Sequence, residues 1–238
     1  MSVSCDHGVE YHTNYDQGVR FQETIVISVG EGDDKEDFVL HHSFATKSSK
    51  FLQAALSQDS GWKEAQEKRV PLPEAKPIDF EVYLEWLYAS QLTSREGDTQ
   101  RERGKMLVRL YILGDFLDDA GFCNQVMDAF APGGTKAWDW SINNEECSLA
   151  WAKTPVDSPL RIFILGLISH RMSRNKNFFQ ELVESTCPRE LFIDLFKHLE
   201  SKHGLTKLLK PSTKLSKVRD KCEFHRHDEK NPKCSEST

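Results

Sequence analysis

The segment TIVISV, Thr24 to Val29, constrains the fold more than any other stretch of this sequence. It is dominated by β-branched residues, which suit a pleated and packed surface, and it stops at Gly30, so it predicts a buried strand. The charged turn EGDDKED (31–37) follows, and FVLHH, Phe38 to His42, predicts the return strand of a hairpin. One more strand signal exists, RVPLP, in which Val70 and Leu72 alternate and Pro71 restricts the strand to a sheet edge. A small sheet among many helices makes the chain an α+β protein whose sheet is flanked by helices.

The rest of the sequence supplies those helices. SFATKSSKFLQAALS (43–57) gives short helical runs with Phe51, Ala55 and Leu56 on one face. Phe80, Tyr83, Leu84, Leu87 and Tyr88 keep the spacing of one helical face, behind Pro77 and Asp79, which favour a helix start. LTSREGDTQRERGK (92–105) reads as a polar loop. Leu107, Leu110, Tyr111 and Leu117 mark a helix after it, and Phe122, Val126, Met127 and Phe130 another after Gly121. APGGT (131–135) is the strongest breaker and the expected domain boundary. Beyond it, Leu160, Phe163, Ile164, Leu167 and Ile168 repeat the core-face spacing after TPVDSP, as do Phe192, Leu195, Phe196 and Leu199 after Pro188. The organisation expected is a flexible leader over 1–19, a first domain over 20–131, an all-helical extension over 136–200 and a tail over 201–238.

At 238 residues, with 38% hydrophobic residues and 14 Phe, the chain is long enough to bury a sizeable core. No apolar run approaches the roughly 18 residues of a membrane span, and MSVSCDHGVEYH lacks the basic-then-apolar order of a signal peptide. The expected location is the cytoplasm or nucleus, with no membrane partner. Cys5, Cys123, Cys147 and Cys187 are scattered, which suits reduced and mostly buried thiols. The net charge of −6 divides unevenly: residues 201–238 hold ten Lys/Arg against five Asp/Glu, so the remainder is strongly acidic. An acidic body argues against a nucleic-acid platform in the main domain.

No catalytic motif anchors an enzyme. The chain has no glycine-rich phosphate loop, no Gly-x-Ser-x-Gly elbow and no His-Glu-x-x-His helix. The carboxylate pairs Asp33-Asp34 and Asp118-Asp119 read as solvated faces, and His41 as a core-edge histidine bonded to backbone. The tail carries one constellation, Cys222-x2-His225-x-His227-x6-Cys234. Two thiolates and two imidazoles form the usual tetrahedral zinc set, so zinc is the candidate cofactor. The segment has no hydrophobic core of its own and its spacing is not that of a standard finger. The other reading is a polar tail without metal.

FVLHHSFATKSSKFLQAAL, GWKEAQEKRVPLPE and IDFEVYLEWLYASQL together resemble a BTB/POZ domain of the fungal type over about residues 20–131. The carriers of the resemblance, in order, are Leu40-His41, Ser49-Lys50-Phe51, Lys63-Glu64, Leu72-Pro73 and Phe80 with Trp86-Leu87-Tyr88. Two positions depart from the family pattern: Glu23 stands where an Asp is frequent, and Ser49-Lys50-Phe51 where Ser-Pro-x-Phe is frequent. The resemblance implies a BTB/POZ fold followed by a helical extension, self-association as a homodimer, and an adaptor that recruits protein partners. It further implies a cullin-type ligase scaffold as partner, because Trp62-Lys63-Glu64 matches the family's docking pattern of a hydrophobic residue, any residue, then Glu. An indole packed inward on its own domain is the other reading of Trp62. A nucleic-acid-associated regulator working through the basic, zinc-bound tail is the alternative function.

Overall fold

Ile25, Ile27 and Val29 are each at most 1% exposed. Strand β1 (Thr24–Val29) therefore turns alternate side chains into the core, as its sequence predicts. The structure is a computed structural model and describes residues 23–57, 61–92, 99–130 and 143–203. The expected leader (1–19) and the breaker at 131–135 lie outside the described residues.

Strand β2 (Glu36–His41) pairs antiparallel with β1, and β3 (Arg69–Leu72) pairs with it in parallel, giving the order β2-β1-β3. The return strand thus begins two residues before Phe38, and His42 belongs to the helix that follows. Two exposed carboxylates at the strand start, Glu36 and Asp37, conceal it in the sequence. Gly30 turns the chain out of β1 at φ 84°, and a Cβ there would stand 2.8 Å from the Asp34 carbonyl oxygen, so only glycine fits. The carbonyls of Lys68, just before β3, and of Leu72 at its end accept from Val26 N–H and Gly30 N–H. Pro71 lies between them in register and aims its proton-less nitrogen away from β1, the edge position its sequence requires.

Helices α1 (His42–Ser48) and α2 (Lys50–Ala55) are separated by Ser49. Its buried hydroxyl accepts from Leu52 N–H at 3.0 Å and donates to the Leu117 carbonyl at 2.6 Å. That capping bond starts α2 and ties it to the fold at once. Ala45, Leu52, Ala55 and Leu56 are the buried apolar residues of this segment, while Phe51 is half-buried against the Phe116 ring at 5.0 Å. After the short α3 (Lys63–Glu67), helix α4 (Pro77–Ala89) buries Phe80, Tyr83 and Leu87 as its spacing predicts, leaves Leu84 half-buried and leaves Tyr88 44% exposed.

Helix α5 (Gln100–Phe116) begins inside the stretch expected to be a polar loop. Thr99 and Glu102 form a reciprocal capping box, with Thr99 Oγ1 accepting from Glu102 N–H at 3.2 Å and Glu102 Oε2 accepting from Thr99 N–H at 2.9 Å. The first turns are polar because they face solvent, and the apolar spacing starts only at Met106. Helix α6 (Ala120–Phe130) buries all four residues that its spacing predicts. It lies so close to α5 that a Cβ at Gly114 would meet the Phe122 ring at 2.8 Å. Asp119 precedes α6 and is 1% exposed, which corrects its reading as solvated surface. Its carboxylate accepts from Phe122 N–H and from the Tyr83 hydroxyl, both at 2.9 Å.

The later residues are helical throughout their regular elements: α7 (Asn144–Lys153), α8 (Pro159–Arg174), α9 (Phe178–Val183) and α10 (Arg189–His203). Leu160, Phe163, Ile164, Leu167 and Ile168 are all buried, as predicted. In α10 the core face is Leu191, Leu195 and Leu199, and Phe196 is 58% exposed, so the expected face was rotated. Phe130 of α6 meets Phe163 of α8 at 5.0 Å, and one contiguous apolar core runs from β1 to α10. Among the described residues no helix is long and apolar enough to cross a membrane.

Candidate protein-docking surface

The surface around Trp62 is built from the sheet edge outward. Gly61, at φ 65°, delivers the chain to Trp62, whose extended backbone (φ −74°, ψ 149°) occupies the N-cap of α3. An indole offers no acceptor oxygen to the first helical N–H groups, and no side-chain cap forms there. Trp62 is 57% exposed. Glu64 stands half-buried in the first turn, where a carboxylate suits the N-terminal end of the helix. Lys63 and Glu67 pair at 3.4 Å along α3.

The far end of α3 is tied down. Lys68 ends the helix in the left-handed region (φ 50°), its carbonyl accepts from Val26 N–H at 2.9 Å, and its ammonium lies 3.6 Å from Glu23. The next residue, Arg69, places one guanidinium nitrogen 2.8 Å from both carboxylate oxygens of Asp37. Ser28 donates to the same carboxylate at 2.6 Å. The Ser28 hydroxyl first, and then Arg69, hold the Asp37 carboxyl below its usual range. The network staples all three strands together and sets the position from which α3 projects Trp62 and Glu64.

Two aromatic groups flank other parts of the first half. Phe44 stacks on Tyr88 at 4.7 Å. The Tyr88 hydroxyl accepts from the His41 backbone N–H at 3.1 Å and lies 2.8 Å from His41 Nδ1. The Tyr88 hydroxyl thus helps to hold His41 at the core edge. Phe51 and the 58%-exposed Phe116 form the second group. Trp86, read as a core or interface aromatic, is half-buried against Tyr83 and Phe122.

The structure places Trp62 at the N-cap of α3 and Glu64 in its first turn, with one residue between them, and leaves Trp62 57% exposed. Cys222, His225, His227 and Cys234 lie outside the described residues, and among the described residues no group of three or more His, Cys, Asp and Glu is placed to hold a metal ion. Sequence reading did not find the Arg69–Asp37–Ser28 staple. An arginine beside a strand proline and an aspartate in a charged turn were the only signals. Neither any protein-family model nor any curated protein matches the chain.

Proposed function

We propose that the chain is a non-enzymatic BTB/POZ-type adaptor that self-associates and recruits protein partners, with Trp62 and Glu64 docking a cullin-type ligase scaffold. The observation that carries this reading is the 57% exposure of Trp62 at the start of α3, a short element anchored to the sheet by Lys68 and Arg69. A large apolar ring left in water is favourable to cover, and Trp is a frequent anchor in the centre of interfaces. Glu64 stands beside it as the acceptor of a charge-assisted hydrogen bond. Anchoring of α3 reduces the ordering that docking would otherwise cost. For self-association, the supporting feature is the Phe51–Phe116 pair, whose exposed ring leaves apolar surface beside the first helices.

The test is a pull-down of a cullin scaffold by the wild-type chain, Trp62→Ala and Glu64→Lys. Wild type should bind, and loss of the indole should weaken binding by about 2 kcal/mol or more while the thermal transition stays in place. Absence of wild-type binding, or equal binding by all three proteins, removes the ligase reading. Light scattering at tens of micromolar that shows a strict monomer removes self-association.

A further inference from the structure

Strand β2 is an edge of the sheet, and its pairing with β1 fixes which of its backbone groups face outward. His42 N–H donates to the Glu23 carbonyl, so by alternation Leu40, Phe38 and Glu36 also turn their N–H and C=O toward β1. Val26, opposite Val39, sends its N–H the other way, to the Lys68 carbonyl. Asp37, Val39 and His41 therefore direct their backbone groups away from the sheet. The Tyr88 hydroxyl takes the His41 N–H at 3.1 Å. Among the described residues the outward N–H and C=O of Val39 have no partner, and Val39 is 63% exposed.

The strand is also polarised along its length. It opens on the carboxylates of Glu36 and Asp37 and ends at His41, with His42 directly after it. Val39 lies midway between Asp37 and His41. A parallel neighbour of the same sequence would set acid beside acid. An antiparallel one with Val39 on the two-fold axis sets Asp37 opposite His41, Glu36 opposite His42 and Phe38 opposite Leu40. Like charges placed directly opposite destabilise a strand pair, whereas complementary groups support it. Sliding either copy by two residues sets Asp37 or His41 opposite Val39 and breaks these matches.

We propose that the β2 edge is an interface between two copies of this chain, paired antiparallel about Val39 into one continuous sheet. At the axis the facing Val39 residues exchange N–H···O=C bonds. Toward each end, Asp37 N–H meets the His41 carbonyl of the second copy. The Tyr88 hydroxyl, already on the His41 N–H, ends the ladder there. A two-fold contact uses the same patch on both copies, so it closes at the pair. The proposal rests on the reading that the chain self-associates, and it adds to that reading a face apart from Phe51 and Phe116.

The experiment oxidises the full chain carrying Val39→Cys with copper phenanthroline, then digests it and maps peptides by mass spectrometry. Facing residues of a hydrogen-bonded antiparallel pair lie about 5.5 Å apart at Cα, within the span of a disulfide. Expected is a linked 39–39 peptide as the dominant crosslink. Val156→Cys, at a position 65% exposed, controls for chance collision and should link far less. In a Phe116→Glu background the copies should still associate. Adding Val39→Pro there costs no bond inside the molecule, since that N–H points outward. It should raise the dissociation constant about tenfold or more. A wild-type chain that is a strict monomer by light scattering removes self-association and this interface together. The β2 edge alone is removed, with self-association standing, by an associated wild type and any one of three results. These are a 39–39 link no stronger than the control, a monomeric Phe116→Glu chain, or unchanged association on adding Val39→Pro. The crosslink decides the matter even if the proline variant does not fold.

Discussion

Two guanidinium groups fasten the two halves of this molecule, and solvent makes them different devices. Arg69 meets Asp37 at the rim of the sheet, where their side chains are 41% and 47% exposed. Arg161 of α8 is 7% exposed and sits where α7, α8 and α10 meet. Its Nη2 donates to the carbonyls of Trp151 and Thr154, and its Nε donates to Thr154 Oγ1 at 3.2 Å. The guanidinium also lies over the Trp151 ring at 5.2 Å and 3.8 Å from the Asp194 carboxylate. Burial draws its pKa below the ordinary arginine value, and Asp194 opposes that shift. Arg161 therefore closes the last carbonyls of α7 and joins three helices, in a place where water cannot replace it. In the sheet's polar staple the charged pair itself has water as a substitute, and only the Ser28 hydroxyl beneath it is buried. The chemistry of the pair is the same, and its environment decides whether the fold depends on it.

Removing the buried member should have the largest effect. Arg161→Ala should lose about 3–5 kcal/mol in urea unfolding, because the half-buried Asp194 loses its cation and two helix-end carbonyls lose their donor. Arg161→Lys should recover little, since one ammonium cannot reproduce the planar fork of donors. Stability of either variant close to wild type would dissolve the contrast.

Asp119 tests a case between these extremes, an acid buried beneath α4 and α6. Burial raises its carboxyl above the ordinary value of 3.8, and the hydrogen bonds from Phe122 and Tyr83 only partly offset this. A raised acid favours the folded state when protonated. That contribution is fully present below the unfolded pKa and is lost as pH climbs through the folded one. Asp119→Asn keeps an acceptor for Phe122 N–H and supplies a neutral donor toward Tyr83. The variant should match or exceed wild-type stability at pH 7, and its advantage should shrink as pH falls toward 3.8. Urea midpoints across that interval measure the slope; a variant advantage that grows with acid contradicts the assignment.

The smallest effect belongs to Asp37→Ala. Its exposed carboxylate should be nearly dispensable, with a thermal midpoint barely displaced at low salt and indistinguishable from wild type at high salt. A large, salt-independent loss would place the sheet staple in the same category as Arg161.

The two halves also differ in how far the sequence reveals them. β1, α6 and α8 are legible because one-sided burial imposes a regular apolar spacing, seen in Ile25, Ile27 and Val29 or in Leu160, Phe163 and Leu167. The start of α5 escaped because a helix end in water shows only its cap, Thr99 with Glu102. Helix α7 escaped for the same reason: Asn143 and Glu146 form its capping box, and its buried stripe of Cys147, Ala150 and Trp151 is narrow. Phe196 misled because an aromatic at helical spacing resembles core even where it faces outward. For the candidate site, sequence located Trp62 and Glu64 but left open whether the indole pointed inward; its exposure depends on how α3 hangs from β3. The meeting of Cys187 with α7, across 43 positions of sequence from Asn144, arises from helix packing alone and has no local signal.

Pro71 has a consequence for how molecules of this protein meet. A strand arriving beside β3 would seek alternating protons and carbonyls, and at Pro71 it would find a ring carbon where a proton is needed. Growth of the sheet from that side is interrupted at its middle, which guards a crowded solution against edge-to-edge polymerisation. Recognition on this flank is thereby left to side chains, and a side-chain contact, unlike a backbone ladder, can distinguish one partner from another.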